Sequence, residues 1–285
     1  MNQNHSIFSV LTFQDAVGSL PYGMTNDYMF RAVLQSNNKA LKGLICSLLC
    51  LTDEDIISIT VTNPVILGKN LTSKECRLDI NVLLNDHTRI NLEMQVANRM
   101  NWQNRSIIYL CRAYDMLEQG EDYIELKPAL HIGFLDYTLF KEHPKFYATY
   151  KLIEVEDNYI YSDNFALSVV DLTQINMATE ENRQHHIHYW AKLFKATTWE
   201  EIKMLASKDE YLKEAANSIF QFNTDEQIRK LCRDREEYYQ DICNYERAIA
   251  EKDAFIEKTI AERDASLAEI QRLRAENEQL RKIHS

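Results

Sequence analysis

The stretch CRLDINVLLNDHTRINLEMQV, residues 76–96, decides the fold. On either side of Asn85-Asp86-His87 its apolar residues recur at every second position, the period of a half-buried strand, and the triplet itself is built from turn formers. The segment therefore predicts a β-hairpin. On its first arm Leu78, Ile80 and Val82 face one way and Arg77, Asp79 and Asn81 the other. On its second arm Ile90, Leu92, Met94 and Val96 share a face, leaving Asn91, Glu93 and Gln95 on the opposite one. If the triplet is the whole loop, Leu84 faces Thr88, and Asp79 lies across from Glu93 on the polar face.

Two carboxylates at cross-strand distance repel each other unless a proton or a cation lies between them. Two readings of that face stay open. It is either a solvated sheet surface carrying two ordinary acids, or an oxygen-donor site for Mg²⁺ in which Gln95 directs a water. A sheet with helices before and after it in the chain is covered on both sides, which would place this polar face in a cleft.

Upstream, Thr25-Asn26-Asp27 offers a helix cap and a first-turn acid. Phe30, Val33, Leu34, Leu41, Leu44, Ile45, Leu48 and Leu49 follow at helical spacing, with a break at Ser36-Asn37-Asn38. Cys46 and Cys50, one turn apart, read as small buried hydrophobes. Ile57, Ile59 and Val61, then Val65-Ile66-Leu67, suggest a strand or a bent strand pair. Downstream, residues 98–118 are helical, with Ile107, Ile108, Leu110, Cys111, Tyr114 and Leu117 as the inner stripe and Gly120 as the stop. Residues 128–136 read as a buried strand. Weaker strands follow near 149–156 and 166–172, then helices over 180–206 and 209–222. The order helix, three strands, helix, strand predicts an α/β (α+β) fold with a central mixed sheet flanked by helices.

No Pro or Gly occurs from Asp225 to Ser285, which predicts one long charged helix. Ile270, Leu273, Asn277 and Leu280 fit a and d positions of a coiled coil. Ile249, Ile256, Ile260 and Leu267 do not keep that simple frame, so a short coiled coil and a solvated amphipathic helix both remain open. The domain parse is a loosely ordered leader over 1–21, a sheet domain over 22–175, a helical extension over 176–224 and the charged helix over 225–285.

The 285 residues carry a net charge of −11, which argues against a simple nucleic-acid coat but leaves room for an enzyme that sets cations between its carboxylates and phosphates. The six cysteines are dispersed with no CxxC pair, the pattern of reduced thiols, and Met1-Asn2-Gln3-Asn4-His5 lacks the basic-then-apolar layout of a secretory signal. No apolar run approaches the ~20 residues that span a bilayer. The expectation is a cytoplasmic protein with no membrane partner. His185, His186 and His188 have no Cys or Glu-x-x-His pattern beside them and read as surface or packing residues. Neither a glycine-rich phosphate loop nor a GxSxG elbow is present.

The element order, with Asp79 on one strand and Glu93-x-Gln95 on the next, resembles the PD-(D/E)XK nuclease superfamily. More closely the chain resembles the Rpn-type recombination-promoting nucleases, also described as PD-(D/E)XK family transposases. The matching segments are Thr25 to Phe30, Arg77 to Ile80, Ile90 to Gln95, Arg105 to Tyr109, Gly120-x-x-Tyr123 and Pro128 to Leu135. The resemblance implies a metal-dependent DNA endonuclease acting in mobile-element recombination or in defence against foreign DNA. Asp79 and Glu93 would hold Mg²⁺ (or Mn²⁺ or Ca²⁺), with the Met94 carbonyl and Asp27 as further ligand candidates. Gln95 stands where the superfamily usually has lysine, and no proline precedes Asp79. Glutamine can orient a water but brings no charge. Asp27 serves equally as a helix-start acid. Arg77 and Arg105 are candidate phosphate contacts, Arg105 equally a partner for a local acid. DNA is the expected macromolecular partner, with self-association into a homodimer or larger homo-oligomer through the C-terminal helix. The alternative is a nuclease-fold interaction protein that self-associates and cleaves nothing.

Overall fold

Asn26 starts the first helix, α1 (Asp27–Ser36), by accepting bonds from the backbone N–H groups of Tyr28 and Met29. The predicted break is real: Asn37 ends α1 and caps α2 (Asn38–Leu49), its side chain taking the N–H groups of Lys39 and Ala40. The structure is a computed structural model describing residues 11–63, 79–115 and 122–283. The predicted strand residues 65–67, the start of the hairpin's first arm with Arg77 and Leu78, and Gly120 lie outside the described residues.

Three antiparallel strands follow, β1 (Ile59–Val61), β2 (Ile80–Leu84) and β3 (Thr88–Gln95). The β2–β3 register sets Leu84 opposite Thr88 and Ile80 opposite Leu92, the pairing expected from the loop. Asn85 and Asp86 adopt φ of 51° and 54°, a left-handed turn that Asn and Asp tolerate. Next come α3 (Trp102–Tyr114) and β4 (Ala129–Leu135), which pairs parallel with β3. The antiparallel pair β5 (Tyr147–Ile153) and β6 (Ile160–Asp171) completes a mixed six-stranded sheet in the order β1-β2-β3-β4-β6-β5, with β6 parallel to β4. This is the α/β fold expected.

Four short helices follow: α4 (Glu180–Gln184), α5 (Ile187–Lys195), α6 (Trp199–Ala206) and α7 (Glu210–Thr224). Capping boxes at Thr179 and Thr198 start α4 and α6. With α1 and α2 they cover one face of the sheet, burying Ile80, Val82, Leu92, Met94, Ile132 and Phe134 in one continuous core. Gly43 of α2 is needed there, because a Cβ would meet Tyr211 Cβ of α7 at 2.2 Å. Residues 11–21, within the predicted leader, form no helix but are tied to this region. Phe13 and Leu20 are buried, the Leu20 N–H bonds Thr197 O, and the Trp199 N–H bonds Gly18 O.

The opposite face is covered by α3, and here the expected inner stripe is corrected. Trp102, Ser106 and Leu110 are the buried residues of α3, while Ile107 and Ile108 are about half exposed and Cys111 is exposed. The helix lies over a polar sheet face, so its inward stripe is not its most apolar one. Instead, Ile107 helps line an outer groove with Phe140, Leu152 and Phe165.

The last helix, α8 (Glu226–Ile283), begins inside the compact unit that runs to Arg235, where Ile228, Leu231 and Cys232 are buried. The second unit, from Glu236 onward, is a single charged helix. Along it Ile242, Ile249, Ile256, Arg263, Ile270 and Asn277 recur at every seventh position, but the d positions of that frame are Tyr245, Lys252, Thr259 and Ser266 before Leu273 and Leu280, so only the last two heptads carry an aliphatic d residue. Ile260 and Leu267 stand one position after d in that frame, which is why they disturb a simple a/d reading. Among the described residues no helix is long and apolar enough to cross a membrane.

Candidate active site

The polar face of the hairpin is buried rather than solvated. Asn91, Glu93 and Gln95 are 2%, 4% and 8% exposed. The parallel register places Asn91 beside His131, Glu93 beside Gly133 and Gln95 beside Leu135. Gly133 is required: the Trp102 indole of α3 occupies the space above it, and a Cβ would lie 2.1 Å from Trp102 Cζ2. Trp102 thereby roofs the site and rests against the His131 ring at 5.3 Å between centroids.

A chain of hydrogen bonds runs from Asp79 through Asn91 to His131, whose ring lies beside Glu93. Asn91 Nδ2 donates to Asp79 Oδ2 at 2.8 Å and to Asn81 Oδ1 at 2.6 Å. With both amide hydrogens so used, Asn91 Oδ1 is an acceptor, and His131 Nδ1 at 2.6 Å must be the donor. His131 Nε2 then carries the lone pair, 3.8 Å from Glu93 Oε2. Burial, and secondarily Arg105, hold His131 down to about 3, so the ring is neutral.

Burial is also the largest influence on Glu93. It pushes the carboxyl up to about 7; Arg105 opposes this, and the Asp79 charge adds to it. Arg105 Nη2 lies 2.5 Å from Glu93 Oε1, and its guanidinium sits 5.2 Å from the Tyr109 ring centre. Arg105 is thus the partner of a local acid in this state. Glu93 Oε2 is buried and has no hydrogen-bond partner among the described residues. Gln95 Nε2 donates to Ala97 O at 3.0 Å, which leaves Gln95 Oε1 buried and also without a partner there. The nearby Tyr137 hydroxyl is held well above its ordinary value by burial and by the Glu93 charge.

The backbone at Asp79 is clamped from α1. The guanidinium of Arg31, 1% exposed, donates to the carbonyls of Asp79 and Asn63, and Asn63 Nδ2 adds a bond to Asp79 O at 3.1 Å. Asp27 is also buried, but both of its oxygens accept from Arg235 of α8. Met94 turns its side chain into the core and offers only its main chain. Asp79 and Asn91 open onto a cleft lined also by Arg89, Tyr109 and Arg112.

The donor set fits a hard divalent cation. Two carboxylates share this face, and one of them, Glu93, has an unbonded buried oxygen and a pKa raised toward 7 by burial despite Arg105 on its other oxygen. Asp79, Glu93 and Gln95 are thus brought onto one face, as sequence spacing suggested, whereas Arg77 is not described. Sequence reasoning gave no role to Asn91 and missed His131, Arg31, Arg89 and Arg112 altogether. Only the β3–β4 register and the α1 packing bring His131 and Arg31 to the site, and neither leaves a local pattern.

Searches of curated proteins and of solved structures return no significant match. A family model described as PD-(D/E)XK nuclease family transposase matches residues 24–248, a span that runs from the cap of α1 through the sheet, the buried acids and all the packed helices. That match takes in well over half of the sequence, and the chain belongs to the PD-(D/E)XK nuclease family transposases.

Proposed function

We propose that the protein is a divalent-cation-dependent DNA endonuclease, with Mg²⁺ the fitting cation. The observation that carries this reading is Glu93: a carboxyl buried beside Asp79, with one oxygen unbonded, is costly in the absence of a cation and useful in its presence. Asp79 and Glu93 would hold the ion, with the Met94 carbonyl as a third oxygen. When bound, such a cation supplies positive charge at the scissile phosphate and lowers the pKa of a nearby water.

The chain's own residues do the rest. Gln95 has spent its N–H on Ala97, so its Oε1 is an acceptor that can take a bond from the attacking water and turn the water's lone pair toward phosphorus. Because that amide is neutral, developing charge must be met by arginine. Arg105 is the nearest, with a side chain 38% exposed, and it is released toward substrate once a cation takes over its place on Glu93. Arg89 and Arg112 line the cleft beside Asp79 and can seat flanking phosphates. Asn91 positions Asp79 by a hydrogen bond and holds the His131 ring, which packs beside Glu93. Asp27, engaged with Arg235, is assigned to fixing the start of α8 against α1 rather than to ligation. Recombination and defence against foreign DNA are both consistent with this chemistry.

Self-association follows from residues 236–283. Ile270, Leu273 and Leu280 are about half exposed on the lone helix. In a parallel, in-register pair Glu269 of one copy meets Arg274 of the other and Glu276 meets Arg281, whereas antiparallel pairing would set like charges together. Asn277 at an a position favours two strands in one register.

Cleavage of supercoiled plasmid tests the reading, with Mg²⁺, Mn²⁺, Ca²⁺ or EDTA and with Asp79→Ala and Glu93→Gln alongside. Nicking that needs a cation and both acids is expected. Equal products from wild type and both variants would overturn it, and a total lack of cutting would favour a nuclease-fold interaction protein.

A further inference from the structure

The histidine cluster acquires partners that its local sequence lacks. Cys50 is the residue that ends α2, in the left-handed conformation (φ 56°, ψ 37°) and exposed, so it is not the buried hydrophobe its spacing suggested. Glu181 lies in the first turn of α4 and His185 is that helix's C-cap, four residues later on the same face. One ligand atom each from Cys50, Glu181 and His185 come within 4.8 Å of one another. Among the described residues none of the three side chains makes a hydrogen bond or ion pair elsewhere. The neighbouring histidines are otherwise engaged: His186 Nδ1 lies 2.8 Å from Asp209 Oδ2, and His188 is buried with its ring 3.8 Å from that of Tyr189.

We propose that Cys50, Glu181 and His185 form a zinc site that fastens the end of α2 to α4. A thiolate, an imidazole and a carboxylate are the donor types zinc takes, and soft sulfur in the set disfavours Mg²⁺. Tetrahedral bonds of about 2.0–2.3 Å set ligand atoms roughly 3.5 Å apart, so the observed cluster closes by side-chain adjustment alone. With three protein ligands the fourth position is left to water. All three are at least partly exposed, which gives the ion access. The site shares no residue with the acidic face of β2 and β3, so it stands whether or not that face cuts DNA.

The test uses the full chain, stripped with chelator and titrated with Zn²⁺ by calorimetry and with Co²⁺ as a spectroscopic substitute. One tight Zn²⁺ per chain is expected, with a thiolate-to-Co²⁺ charge-transfer band. Both should persist in Asp79→Ala and vanish in Cys50→Ser, with His185→Gln and Glu181→Gln losing tight binding. Zn²⁺ should protect Cys50, but not the exposed Cys111 and Cys243, from alkylation mapped by mass spectrometry. Circular dichroism and melting in EDTA establish that each variant is folded. Failure to bind, a charge-transfer band that survives Cys50→Ser, or Zn²⁺ binding lost only in Asp79→Ala would each overturn the assignment.

Discussion

Replacing Glu93 by glutamine should remove the loss of stability with rising pH that this buried carboxyl imposes. In the metal-free fold burial holds the Glu93 carboxyl at about 7, against an ordinary value of 4.5 that the unfolded chain regains. Between those values the folded protein keeps a proton that the unfolded one releases, so stability falls as pH rises. The contribution is fully present below pH 4.5, is lost progressively up to pH 7, and is constant above it. At about 1.4 kcal/mol per pH unit, the gap between 4.5 and about 7 is worth on the order of 3 kcal/mol. Glutamine carries no charge at any pH and removes this slope, while Arg105 stays hydrated because its side chain is 38% exposed. His131, held neutral in the fold, contributes a loss at acid pH that both proteins share. The assay is urea denaturation in EDTA at pH 5, 6, 7 and 8. The variant should gain on the wild type by a few kcal/mol between pH 5 and 8, and added Mg²⁺ should restore the wild type at pH 8 without helping the variant. Parallel pH profiles would refute the claim that burial of Glu93 stores this energy.

Three further outcomes test the packing around the site and the tail. Gly133→Ala drives a methyl into Trp102 and should cost about 1–3 kcal/mol, read as a lowered melting temperature; an unchanged melt means the indole does not roof the site as described. Arg31→Leu leaves the Asn63 carbonyl without its donor, at about 1–3 kcal/mol, leaves Asp79 O with Asn63 Nδ2 alone, and should loosen metal binding as well as the fold. If metal affinity holds while stability drops, Arg31 supports the fold alone. Leu273→Asp should convert a dimer to monomer in light scattering, whereas Asn277→Leu should raise the association state; one mass for all three proteins counts against the parallel pair.

Local periodicity and turn chemistry alone determined the hairpin, its register, the break between α1 and α2 and the extent of α8, because each depends on residues a few positions apart. The loop Asn85-Asp86-His87 sets which residue faces which, so the sequence alone puts Asp79 and Glu93 on one face. The inner stripe of α3 is not legible from apolar spacing, because this helix covers the polar face of the sheet and buries Trp102, Ser106 and Leu110 there. His131 and Gly133 reach Glu93 only through parallel pairing of β3 with β4, strands separated in sequence by a whole helix. Cys50 meets Glu181 and His185 only because α2 and the helices after the sheet share one core. Contacts closed over such distances leave no period in the sequence. They are decided by which faces the tertiary fold must bury together, and with them the burial that lifts Glu93 toward neutrality.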